Sequence, residues 1–255
     1  MSSEAHHHKP THEKPTHEAA SLLAHDSFKA TALSKAFACV VGAAAVRADN
    51  YRFLTYDQLG SPESARKLAA DLREFIADFP LSPDRFASFI ASFRGPSGLS
   101  ATEFERHLWT TLQSLHDLDE VGWDPAVSSD PEDVRFSFSF HGRSFFVIGM
   151  HSNSPRWTRR LAWPTLVFNA HAQFEELRRM GRFEAMQRTI RRRDSRLQGT
   201  ANPALTDYGM LSEAKQYGGR VVEPDWKCPL VVRSKRDESN EVGVEGWADG
   251  GCDEN

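Results

Sequence analysis

Residues 135–150 read RFSFSFHGRSFFVIGM, and their period decides the fold. Phe136, Phe138 and Phe140 alternate with Ser137 and Ser139, which puts rings on one face of an extended strand and hydroxyls on the other. His141-Gly142 supplies a tight turn, and the β-rich run Ser144–Met150 returns along the first strand. A third strand is expected over Thr165–Phe168, after the Pro164 boundary, and a strand or turn over Tyr51–Tyr56.

Outward from this hairpin the period becomes helical. An amphipathic helix is expected from Ser27 through Ala44. Residues 61–79 form another, with Ser61 as cap, Pro62 in the first turn, and Leu68, Leu72, Phe75, Ile76 and Phe79 on one face. A helical pattern over Ser82–Phe93 stops at Gly95-Pro96. The next helix, capped by Ser100 or Thr102, carries Phe104, Leu108, Trp109, Leu112, Leu115 and His116 at helical spacing. Residues 120–134 are loop. Asn169 is expected to cap a helix over 170–180 closed by Gly181, and Arg182–Leu197 a last one ending at Gly199. The fold class is therefore α+β: helices packed around a small, mostly antiparallel sheet in a single domain, without β-α alternation or a long-period repeat.

Composition narrows the class. At 255 residues, 40% hydrophobic and 26% charged, the chain is long enough for a large core and unlike a disordered or collagenous sequence. The most apolar run, 36–46, is about half a bilayer crossing, so no membrane span is expected. No apolar segment follows a basic start, so no secretory signal is read. Cys39, Cys228 and Cys252 lie far apart, which argues against a disulfide framework or a thiolate zinc site and for a reducing cytoplasm. Residues 1–25 hold six of the eleven histidines, with a short repeat (THEKP, then THE); the tract could collect metal, but nothing fixes ligand geometry, and a disordered tail over 1–26 is expected. The domain then runs over 27–232, and 233–255 form an acidic tail too poor in apolar residues to order itself.

A net charge of −4 argues against a general nucleic-acid binder, yet residues 151–200 hold eleven arginines against four acids. Arg191-Arg192-Arg193 could meet nucleic acid; a solvated helix face is the plainer reading. There is no G-x-S-x-G, H-E-x-x-H, Walker loop or G-x-G-x-x-G after a strand, so hydrolase, zincin, NTPase and Rossmann readings lack their motifs.

Five histidines lie beyond the tail. His141 is expected in solvent at its turn, and His107 on the polar side of its helix. His151 ends the strand FFVIGMH, where Gly149 would let a flat ligand approach, and Arg156, Arg159 and Arg160 follow; a polar strand end with a basic loop is the plain alternative. His171 sits in the first turn of its helix, facing a ligand or solvent. Glu105 and His116 fall on an otherwise apolar helix face, where a buried structural pair would account for both.

From GMHSNSPRWTRR (149–160) through WPTLVFNAHAQFEELR (163–178), IRRRDSRLQGTANPALTDYGMLSEAKQY (190–217) and DWKCPL (225–230), with FERHLWTTLQSLHDLD (104–119) and the hairpin upstream, the sequence resembles the YqcI/YcgG family over most of residues 35–232. It departs at Ser152-Asn153-Ser154, where a proline would follow the histidine, and at Leu230, where phenylalanine is more usual. The resemblance implies a haem-dependent enzyme that N-oxygenates arginine or a related guanidino compound, with haem b as cofactor and O2 or peroxide as co-substrate. It makes His151 the first choice of iron ligand, His171 the second and Cys228 the third. Arg156, Arg159 and Arg160 become candidates for the propionates. Glu105 and Glu213 are the carboxylates that would hold a guanidinium, with Asn169 and Gln173 as hydrogen-bonding neighbours. An external reductase or peroxide would supply electrons, since no flavin or iron–sulfur motif is present; a homodimer is left open. A haem sensor or carrier without turnover, and a haem-free interaction protein, are the alternatives.

Overall fold

Ser88–Gly95 (β2) is the strand on which the sheet is built, although Ser82–Phe93 reads as a helix. All of β2 but Arg94 is buried. A strand covered on both faces shows no alternation, so Phe89, Ile90, Ala91 and Phe93 make an apolar run that periodicity alone does not tell from a helix.

The computed structural model describes residues 16–34, 37, 40–82, 86–200 and 211–233. Tyr51–Gln58 (β1) pairs parallel with β2, and the helix Pro62–Asp78 provides the crossover that a parallel pair needs. Thr165–Ala170 (β5) lies antiparallel on the other side of β2, followed by Arg143–Met150 (β4) and Phe138–Phe140 (β3), so the order is β1-β2-β5-β4-β3. The hairpin is as expected: His141 and Gly142 have φ of 51° and 71°, both left-handed, as a two-residue turn between twisted strands requires. His141 is nevertheless half-buried, and its N–H donates to Asp119 Oδ2 at 2.9 Å.

Alternate residues of each strand face two helical layers. Phe89, Phe93, Leu166, Phe168, Phe145 and Val147 pack with Leu68, Leu72, Phe104, Leu108 and Leu112 of the helices Pro62–Asp78 and Ala101–Asp117. Ile90, Val167 and Met150 pack on the opposite face with Phe28, Ala32 and Val46. Ser61 caps Pro62–Asp78, and Ser100 and Glu103 form a capping box on Ala101–Asp117. The helices, in chain order, are α1 His17–Leu33, α2 Val40–Arg47, α3 Pro62–Asp78, α4 Ala101–Asp117, α5 His171–Arg179, α6 Phe183–Gln198 and α7 Ala214–Tyr217.

Two boundaries differ from the sequence reading. The single helix expected over Ser27–Ala44 is two, α1 and α2, and α1 starts at His17 under a Thr16 cap, with Ala24 and Phe28 buried. Part of the expected N-terminal tail is thus helix; residues 1–15 and 234–255 lie outside the described residues. Asn169 is not an N-cap but a buried residue of β5, paired across the sheet with Ser88, whose hydroxyl donates to its Oδ1 at 2.7 Å. No described helix is long and apolar enough to cross a membrane.

Candidate functional site

A short segment, Ser212–Arg220, gathers four of the side chains singled out in the sequence. Glu213 Oε1 lies 3.4 Å from Nδ1 of His171. The Tyr217 hydroxyl donates to the Phe145 carbonyl and accepts from Phe138 N–H, both at 3.1 Å, so a phenol stands between the paired residues of β3 and β4. Arg159 Nη1 donates to the carbonyls of Gln216 and Tyr217 at 2.8 and 3.2 Å, closing the end of α7. Arg220 Nε donates to Glu105 Oε2 at 2.7 Å, and a Cβ on Gly218 would stand 3.2 Å from Glu105 Cγ, which is why a glycine passes there.

His171 is buried between two carboxylates. Its Nε2 faces Glu175 Oε1 at 3.1 Å and its Nδ1 faces Glu213. Burial opposes a charge on the ring, but Glu213 and then Glu175 outweigh it, so its pKa lies above the usual histidine value. An imidazole that faces a carboxylate at each nitrogen is less open to a metal than His151, so His171 stays the second choice of iron ligand.

His151 is the opposite case. It is 1% exposed and lies parallel to Phe104, with centroids 4.4 Å apart. Neither ring nitrogen meets strict hydrogen-bonding geometry, but the Leu99 carbonyl is near enough to favour a proton on the ring, more strongly than Arg160 opposes one. Burial drives its pKa down to about 4, and the Arg160 charge adds to this, so the ring is neutral and keeps a nitrogen lone pair. The space expected beside Gly149 is filled: a Cβ there would lie 2.5 Å from Phe104, 2.8 Å from the Tyr217 carbonyl and 2.9 Å from Leu108. Gly149 admits a helix and a carbonyl, not a ligand.

The three arginines have separate tasks. Arg156 is buried against Asp194 at 3.5 Å and donates to the Thr200 carbonyl at 3.1 Å. Arg159 holds the end of α7. Arg160 is exposed, lies 4.2 Å over the Trp157 ring and uses its Nε on the Ser154 carbonyl; its terminal nitrogens make no hydrogen bond to a described residue.

Glu105 and His116 are both buried but do not pair. Glu105 binds Arg220, and desolvation raises its pKa against the pull of that arginine; His116 Nε2 accepts from Arg233 N–H at 3.1 Å. Gln173 donates to the Ala87 carbonyl at 2.9 Å, leaving its Oε1, like Asn169 Nδ2, buried without a partner. These two amides stand at the start of β2, apart from the Glu105–Arg220 pair. The Cys228 thiol is pushed up to about 12, chiefly by burial, so in the metal-free chain it stays protonated, and it remains the third choice of iron ligand. A cleft of about 590 Å³ lined by His116, Asp119, Trp123, Asp130 and Arg233 lies at the far end of α4, about 18 Å along the axis from Phe104.

Of the residues that the sequence resemblance offers to haem, His151, a neutral buried imidazole without a side-chain partner, and Arg160, whose terminal nitrogens bond no described residue, have the chemistry an iron ligand and a propionate cation would need. Arg156 and Arg159 do not fit, since their guanidinium groups already serve a carboxylate and backbone carbonyls. Sequence reasoning missed Tyr217 and Arg220, whose partners lie far away in the chain. It also missed Glu175, whose i+4 spacing from His171 was a visible signal.

The YqcI/YcgG family model matches residues 28–231 of the chain. Two proteins of Bacillus subtilis (strain 168) are similar to it: uncharacterised protein YqcI, 26% identical over 205 residues, and uncharacterised protein YcgG, 28% identical over 204. Each alignment covers 76% of this chain and 80% of the relative. No solved structure matches the chain.

Proposed function

From the premise that this chain belongs to the YqcI/YcgG family, we propose that it is a cytoplasmic haem-dependent oxygenase that N-hydroxylates a guanidino or amino group of a small molecule such as arginine. The observation that carries this reading is His151, buried and neutral, with no side-chain partner at either ring nitrogen and only the Leu99 carbonyl near. A buried polar group without a partner is costly, and one kept neutral is suited to a metal. When bound, haem b would supply the activation of O2 or peroxide.

The chain's own residues account for the rest. Glu105 already binds a guanidinium, that of Arg220, in a setting where both side chains are nearly buried. Arg220 also reaches Glu223 at 2.9 Å, so it retains a carboxylate if a substrate guanidinium takes Glu105. Glu213 is occupied by His171 and serves less well. Arg160 is the cation left for a propionate.

The test is to supply haem, a reductant with O2 or else peroxide, and a panel of guanidino compounds, and to look by mass spectrometry for a product that has gained one oxygen atom. Glu105→Gln is expected to lose that product while keeping the haem spectrum. A haem spectrum with no product from any compound would make the protein a carrier or sensor, and no haem uptake would leave an interaction protein.

A further inference from the structure

A basic surface runs along α6, behind the turn that follows His151. Residues 151–200 hold eleven arginines against four acids, while the rest of the chain holds twenty basic residues against thirty-one acids. Within α6, Arg188, Arg192 and Arg196 are exposed and four residues apart, so they form one ridge with steps of about 6 Å. None of the three makes an ion pair with a described residue.

The orientation of this ridge is fixed from behind. Asp194, the one buried residue of α6, faces inward to Arg156 at 3.5 Å and accepts from Thr158 Oγ1 at 3.3 Å. Gln198, at the end of α6, accepts from Trp157 N–H at 3.1 Å and donates to the Pro155 carbonyl at 3.0 Å. The ridge and the Trp157–Arg159 turn are therefore one rigid surface. At its end Trp157 is 59% exposed beneath Arg160, and Arg160 leads through Ser154 to the loop of His151. A solvent-facing tryptophan bordered by arginines is the composition of a binding hot spot.

We propose that the Arg188–Arg192–Arg196 ridge with Trp157 docks a small acidic electron-carrier protein of the ferredoxin or flavodoxin class. This rests on the O2-driven form of the oxygenase reading, whose stoichiometry requires an electron donor; the peroxide-driven form requires none. Converting a substrate N–H to N–OH with O2 consumes two electrons and two protons and releases one water, and the chain carries no flavin or iron–sulfur motif to store those electrons. Outside residues 151–200 the chain carries a net excess of acids, so this basic face is where a negative carrier is steered, and the Trp157–Arg160 turn joins it to the loop of His151.

The experiment uses the full chain with a [2Fe–2S] ferredoxin and a flavodoxin, each kept reduced by its own reductase. Binding is titrated without haem, and reduction of added haem is followed by stopped flow. Arg188→Glu/Arg192→Glu/Arg196→Glu is expected to slow reduction and weaken binding at least about tenfold, and wild-type rates are expected to fall steeply with salt. Trp157→Ala, a second exposed change, should weaken binding without altering salt dependence. Equal rates in the wild-type and the triple variant, with haem bound, would overturn the docking surface and leave the oxygenase reading standing. Carrier binding abolished by the triple variant in a protein that takes no haem would keep the surface and sink that reading. Tighter binding of a single-stranded oligonucleotide than of either carrier would overturn the proposal in favour of nucleic acid.

Discussion

The imidazole of His151 and the ring of Phe104 lie 4.4 Å apart and 15° from parallel, so the end of β4 and the start of α4 meet through a stack that buries a histidine with no side-chain hydrogen-bond partner. Gly149 permits the approach. Gly149→Ala is expected to push Phe104 and Leu108 away and cost about 1–3 kcal/mol, read as a lower denaturant midpoint, with the His151 ring resonances shifted.

His151 makes the protein sensitive to acid. Its folded pKa, about 4, lies below the unfolded value, so its contribution is complete above about pH 6.5 and is lost as pH falls towards 4. The amount is on the order of 3 kcal/mol. His151→Phe is expected to flatten this part of the stability profile; an unchanged slope between pH 6.5 and 4 would count against a neutral buried ring.

His171 works in the other direction. Its pKa is raised in the fold, so its contribution is complete below the unfolded value and declines as pH rises through the folded one. Glu213→Gln is expected to lower the His171 pKa, followed by NMR, and to destabilise the protein by about 1–3 kcal/mol at neutral pH. With His171→Gln added, the combined loss should be smaller than the sum, because both changes break one contact.

Cys228 is expected to be inert. In a Cys39→Ser/Cys252→Ser background its thiol should react at pH 8 far more slowly than in the unfolded chain, since burial holds it protonated up to about 12. Cys228→Ser should leave any haem spectrum unchanged.

Asp194→Ala removes the carboxylate from a buried arginine and is expected to cost about 3–5 kcal/mol, with faster amide exchange across α6.

What the sequence disclosed follows from how local each signal is. The hairpin, the caps at Ser61 and Ser100 and the apolar face of α4 are short-range patterns, and each is present. The central strand β2 was hidden because both its faces are covered, and Asn169 was misread because its partner, Ser88, lies on another strand. Glu105, Arg159, His171 and Glu213 were visible as chemistry-bearing residues, and the segment Ser212–Arg220 brings all four together. Their roles were not visible. That His171 meets Glu213 as well as its i+4 neighbour Glu175, and that Arg159 meets a helix end, depends on a chain segment tens of residues away.

The most direct measurement is the absorption spectrum of the full chain supplied with haem, taken oxidised, reduced, and reduced with CO, beside His151→Ala. The account predicts a Soret band that shifts on reduction and on CO binding in the wild type, and its loss or displacement in the variant, with no CO band near 450 nm of the kind thiolate ligation gives. The absence of a Soret band in the wild type, or an identical spectrum without His151, would contradict it.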